Sequence, residues 1–162
     1  MKALSIRQPW ASLVASGAKY IETRSRPAPT AIIGQRIAIH ACKGLSHDGK
    51  QLCYSDEVVT ALWPEILELE CLAQNAATTA RIAQLLRGVV IATARVTGCY
   101  STNDLHLVER LSGSERAFGD YAPDRHMWVL NEVHLLPAPI AAKGQLGLWR
   151  WEPSVGWMGE AT

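Results

Sequence analysis

The chain has 162 residues, of which 48% are hydrophobic and 19% charged, and its formal net charge is +1. One domain of that length buries its own core, and the composition excludes collagenous, disordered and coiled-coil classes. No apolar run approaches the ~20 residues that span a bilayer, and Arg7 interrupts the opening segment before a secretory apolar core can form. A cytoplasmic protein with no membrane partner is therefore expected.

Charge is unevenly placed. Residues 1–50 hold eight Lys/Arg against two acids, residues 51–80 hold five acids and no Lys/Arg, and the remainder balances at eight against eight. Folding either turns this asymmetry into a directed field or disperses it over the surface. The cysteines, Cys42, Cys53, Cys71 and Cys99, form no C-x-x-C pair, which fits buried thiols in a reducing compartment. His40 and Cys42 fall on one face of a strand, but two ligands do not make a zinc site. No metal or organic cofactor is expected.

Residues 3–7 read as a strand, with Leu4 and Ile6 alternating against Ser5 and Arg7. Pro9 suits a helix start and Gly17 a stop, and Trp10, Leu13 and Val14 lie on one helical face between them. Residues 20–24 make a second strand, ended by the prolines at 27 and 29. Residues 36–42 alternate again, which predicts Ile37, Ile39 and Ala41 in the core and Arg36, Ala38, His40 and Cys42 opposite.

Residues 45–87 read as a helical insertion into a β framework. Ser55, followed by Asp56 and Glu57, caps a helix carrying Val59, Leu62, Trp63, Ile66 and Leu67, broken at Pro64; Ile82, Leu85 and Leu86 form a short helix stopped by Gly88. Residues 89–96 are the most β-like run, residues 101–126 read as a long polar loop, and residues 127–136 and 146–151 as closing strands. Trp149 and Trp151, two apart, share a face that caps the barrel. The tail, residues 153–162, has no period and is expected to be flexible. About six strands without regular β-α alternation give an α+β domain over residues 1–152, a small mixed barrel with flanking short helices.

The densest functional cluster is Lys19, Glu22, Arg24 and Arg26, with Glu22 and Arg24 on one strand face. Such an array holds phosphate, or presents a lysine base beside a polarising carboxylate, or forms ordinary surface ion pairs. Among six tryptophans and four tyrosines, Trp10 and Tyr121 are the candidate stacking platforms. The sequence lacks G-x-S-x-G, H-E-x-x-H, G-x-G-x-x-G and a Gly-rich phosphate loop.

Taken in order, these segments resemble the ASCH family (activating signal cointegrator homology). The run A-L-S-I-R-Q-P-W-A-S-L-V-A-S-G-A-K-Y-I-E-T-R-S is similar to its signature, with a G-x-K-x-x-E-x-R core at Gly17, Lys19, Glu22 and Arg24. R-I-A-I-H-A with His40, F-G-D-Y at 118–121, W-V-L at 128–130 and K-G-Q-L-G-L-W at 143–149 resemble later elements. The resemblance implies a PUA-like barrel whose cleft binds nucleic acid or a modified nucleotide. One branch of the family hydrolyses N4-acetylcytidine and ribonuclease activity is attributed to another. Against the Lys, Thr, Glu set of that amidohydrolase branch, Lys19 matches, Glu22 stands at the threonine position, and the glutamate falls near Ala92.

The resemblance and the residues together support three functions. In an RNA-binding module Lys19, Arg24 and Lys43 contact phosphate, Glu22 and His40 read a base edge, Trp10 or Tyr121 stacks, and Asp120 positions a cation. A single strand with splayed bases suits such a cleft better than a duplex. In a metal-independent ribonuclease or nucleoside amidohydrolase on the same site, Lys19 is base or electrostatic catalyst and Glu22 its acid/base partner. In a protein-interaction module the acidic segment 51–80 is the docking surface.

Overall fold

Leu4 and Ile6 face one side of β1 (Lys2–Ile6) and the equally buried Ala3 the other; it is the first strand in a computed structural model that describes residues 1–63 and 82–153. Helix α1 (Trp10–Ala15) follows, with Ala11, Leu13 and Val14 buried. Gly17 ends it in the left-handed region at φ +79°, a conformation that disfavours a side chain. Gln8, fully buried, fixes its start: Oε1 accepts from the Ser12 N–H at 3.1 Å, and Nε2 donates to the Leu86 carbonyl at 2.7 Å. Strand β2 (Ile21–Arg24), a 3-10 turn (Thr30–Ile32) and β3 (Arg36–Ala41) complete the first third.

Helices α2 (His47–Leu52) and α3 (Asp56–Leu62) occupy the start of the predicted insertion. Each is capped by a serine, Ser46 and Ser55, accepting from the N–H three residues on. Helix α3 ends before Pro64, as the steric demand of proline on its predecessor requires. Ile66, Leu67, Cys71 and most of the acidic segment 51–80 lie outside the described residues, as does the tail beyond residue 153.

Strands β4 (Val89–Ser101) and β5 (His126–Ala141) are longer than their apolar runs. Each gains support from pairing with the other, and the ladder stretches from Val89↔Ala141 to Ser101↔His126. Between them, the polar stretch 101–126 is not a bare loop. It folds into α4 (Leu105–Glu109), capped by Asp104, and α5 (Gly113–Phe118), capped by Ser112. The local caps outweigh the weak apolar periodicity of these short segments. Strand β6 (Leu148–Arg150) closes the chain on β1.

All six strands form one sheet in the order β2-β5-β4-β3-β1-β6, with β1 and β3 parallel and every other pair antiparallel. Three register shifts in the β4–β5 ladder and one between β3 and β4 bend the sheet into a curled half-barrel. The main core fills its concave side with Leu4, Ile6, Ile37, Ile39, Ile91, Val96 and Leu130. Among the described residues, no helix is long and apolar enough to cross a membrane.

Two sequence expectations need correction here. The face of β3 opposite the core is buried as well, because Ala38 joins Ala3, Val90, Trp149 and Trp151 in a second apolar cluster. The two tryptophans therefore cover the outer face of the sheet, where small residues on β1 and β3 make room for the indoles. The cysteines are not uniformly buried: Cys53 is, but Cys42 and Cys99 are half-buried.

Candidate functional site

Strand polarity gathers cations at one end of the sheet. Strands β1 and β3 run parallel, and β3 and β4, then β4 and β5, run antiparallel. The exits of β1, β3 and β5 and the approach to β4 therefore coincide, laced by Cys42 N–H to Ile6 O, Gly88 N–H to Ala41 O and Ala142 N–H to Gly88 O. Arg7, Lys43, Arg87 and Lys143 stand at these junctions, all exposed. None has an ionic partner among the described residues. They form the rim of an open cleft of about 1750 Å³.

Strand β2 supplies the floor. Glu22 and Arg24 share its inward face, with Glu22 Oε1 3.3 Å from Arg24 Nη1. Arg24 also donates to the Ser5 carbonyl at 3.4 Å, reaching across the mouth of the curled sheet to β1, and its guanidinium lies 6.0 Å from the Trp128 ring centroid. The Glu22 side chain is 12% exposed. Burial holds its carboxyl above the ordinary range, against the pull of Arg24, Lys19 and Arg125.

One wall is α5 and the turn after it. Glu115, fully buried, takes three donors: Lys19 Nζ at 2.6 Å, the Tyr121 hydroxyl at 2.6 Å and the Tyr20 N–H at 2.8 Å. Lys19 is 1% exposed, its ammonium 5.7 Å from the Tyr121 ring centroid. Burial first, and the Glu115 carboxylate second, raise the Tyr121 phenol well above its ordinary range, so it stays a donor. Two further ties hold this wall: Trp10 Nε1 donates to Phe118 O at 2.7 Å, and Asp120 pairs with Arg125 at 3.2 Å. Arg125 Nη2 donates to Thr23 O, and its Nε is buried without a partner.

His40 lines the opposite side and is committed internally. Its Nε2 lies 3.2 Å from the Ala142 carbonyl, which can only accept, so the proton sits on Nε2 and Nδ1 accepts from Ser5 Oγ at 3.1 Å. Ser5 in turn accepts from Trp149 Nε1 at 3.0 Å. Burial lowers the imidazole below its ordinary range, opposed by the Ala142 carbonyl, and keeps it neutral. Gly144 closes over this ring so tightly that a Cβ there would collide with His40 Cε1.

The structure thus brings Trp10, Lys19, Glu22, Arg24, His40, Lys43 and Asp120 to one cleft. Tyr121 stands behind Lys19 as a ligand of Glu115 and is not on the cleft wall. Asp120 holds Arg125, a cation the sequence reading overlooked, along with Arg7, Arg87, Lys143 and Glu115. Glu115 carried a legible signal: it is the fourth residue of a Ser112-x-x-Glu115 capping pattern. Of the rim cations only Lys43 was anticipated; Arg7, Arg87 and Lys143 carried no local signal, because each borders a different strand.

No curated protein matches the chain. It is similar in structure to the ASCH protein of Zymomonas mobilis, at TM-score 0.52 and 16% identity over 93% of this chain and 87% of that one. A serine-to-alanine variant of that protein gives TM-score 0.50 and 15% identity, covering 93% and 87%. A tyrosine-to-phenylalanine variant gives 0.50 and 15%, covering 93% and 89%. At these identities the likeness speaks to the fold, which is the α+β, PUA-like half-barrel. The ASCH domain model matches residues 4–137, which include most of the sheet and the α5 wall of the cleft, and the chain belongs to the ASCH family.

Proposed function

We propose that the cleft binds a single strand of RNA, or a modified nucleotide, with phosphates along the rim and one base against Trp10. The observation that carries this reading is the row of exposed cations at four strand junctions, Arg7, Lys43, Arg87 and Lys143, none with an ionic partner among the described residues. Cations so placed neutralise a backbone without selecting sequence. Trp10 has its N–H fixed by Phe118 and offers an edge-held ring to the cleft. Lys19 is reassigned from phosphate contact to support of the floor, since it is buried against Glu115; His40 likewise has no ring nitrogen to spare for a base.

An enzymatic reading draws less support. Lys19 is buried in an ion pair with Glu115, and Ala92, near which the amidohydrolase glutamate falls, is an apolar residue with 0% exposure in the main core. The protein-interaction reading concerns a segment that lies largely outside the described residues.

Labelled single-stranded and duplex RNA, titrated at two salt concentrations with chelator present, test the proposal. Salt-sensitive binding that prefers the single strand is expected; salt-insensitive binding, or none, overturns it. Chelator-resistant cleavage lost in a Lys19→Ala variant that melting curves show to be still folded would replace it with the ribonuclease reading.

A further inference from the structure

The floor of the cleft offers more donors than the protein uses. Arg24 spends only Nη1, on Ser5 O and Glu22. Arg125 Nε has no partner among the described residues. Two of the local carboxylates are already committed, Glu115 to Lys19 and Asp120 to Arg125. Glu22 is therefore the floor's own counter-ion, occupying a site whose donors suit a tetrahedral oxyanion.

An incoming phosphate oxyanion must share Arg24 with Glu22 in a poorly solvated space, where two adjacent anions do not both stay ionised. A phosphodiester is the stronger acid, so the carboxylate is the group that protonates. Resting on the reading of the cleft as a nucleic-acid site, we propose that its floor receives one phosphate group together with one proton. The proton comes from solvent and is taken up by Glu22 as the phosphate replaces it at Arg24.

The charged and titratable groups around Glu22 are few. Arg24 lies on β2, Lys19 just before it, and Arg125 just before β5; all three favour the carboxylate. Cys42, beyond β3, and Tyr121, beyond α5, also sense its charge, and burial holds both in their protonated forms. His40 lines the same cleft, but the Ala142 and Ser5 contacts occupy both ring nitrogens. Burial already places the Glu22 carboxyl above its ordinary range, and a phosphate at Arg24 pushes it in the same direction.

Binding of a short oligouridylate to the full chain, followed by calorimetry in buffers of differing ionisation enthalpy, tests the coupling. Uptake approaching one proton per bound strand is expected, with affinity rising up to about tenfold per unit fall in pH through the titration. In Glu22→Gln, proton uptake is expected to vanish and affinity to become independent of pH. Sulfate, which carries no titrating proton in this range, serves as a second probe in place of phosphate. Strand binding without proton uptake, or uptake that persists in Glu22→Gln, overturns the inference. If the strand fails to bind, the nucleic-acid reading falls; sulfate bound with Glu22-dependent proton uptake would still support the floor as a proton-coupled anion site, and sulfate bound without it, or not at all, would end both.

Discussion

Glu115 and Lys19, 96 residues apart in sequence, meet at 2.6 Å in the dry interior between α5 and the start of β2, each with 1% of its side chain exposed or less. An ion pair so placed is strongly felt when only one member is removed, because the other is left charged without a partner. The same glutamate also holds Tyr121 and the backbone of Tyr20, so one residue joins the wall of the cleft to its floor.

Glu115→Ala and Lys19→Met are each expected to cost about 3–5 kcal/mol in denaturant unfolding. The double variant Lys19→Met/Glu115→Gln should recover much of this loss, since no charge is stranded and Gln still accepts from Tyr121. Additive losses would show that the pair does not act as a unit.

Ser112 caps α5 by accepting from the Glu115 N–H at 3.1 Å. Ser112→Ala should therefore cost about 1 kcal/mol, and by loosening α5 it should weaken strand binding as well. An unchanged melting temperature would argue that Glu115 alone anchors the helix.

The Glu22 carboxyl is held above its ordinary range by burial, so the folded state binds its proton more tightly than the unfolded state does. Its stabilising contribution is complete below the ordinary carboxyl range of about pH 4 and is lost as pH rises through the elevated value. Glu22→Gln should accordingly raise stability at neutral pH relative to the parent, with the gap closing in acid. Unfolding curves that stay parallel across pH would refute this.

Each rim cation that touches phosphate contributes about 0.7 to the slope of log affinity against log salt for a single strand. Arg87→Ala and Lys143→Ala should each lower that slope by about this amount with little change in melting temperature, because both side chains are exposed. A slope unchanged in both would move the backbone path off this rim.

Ser5 Oγ bridges Trp149 Nε1 and His40 Nδ1 beneath the cleft. Ser5→Ala strands both ring nitrogens, a loss of about 1–3 kcal/mol for each buried group left unsatisfied. Ser5→Thr, which restores the hydroxyl, should recover stability only where its extra methyl fits, and comparing the two separates hydrogen bonding from packing.

Much of the framework could be read in advance because its signals are local. Leu4 and Ile6 alternate, Gly17 ends a helix, and Ser55 starts one, each through chemistry within a few residues. The second core under Ala38 was hidden because an alanine looks alike on a covered and an open face; only the arrival of Trp149 and Trp151 from the far end of the chain decides it. The site divides similarly. Glu22 and Arg24 are neighbours on one strand and announce themselves. Lys19 reads as a surface cation until Glu115 is brought to it, and Arg7, Lys43, Arg87 and Lys143 become a row only through strand polarity.

Strand β2 sits at one margin of the sheet, hydrogen-bonded along its length to β5 alone, whereas β3 lies between β1 and β4 with both faces covered. Amide protons of Ile37 to Ala41 should therefore exchange with solvent last, and those of β2 much earlier, through openings that leave the rest of the domain intact. The strand that carries Glu22 and Arg24 is thus one of the two edge strands of the sheet. On the proposed reading of the cleft, a bound strand would leave by brief detachment of β2 and its ties to α5, at a rate set by that local opening and not by unfolding of the domain.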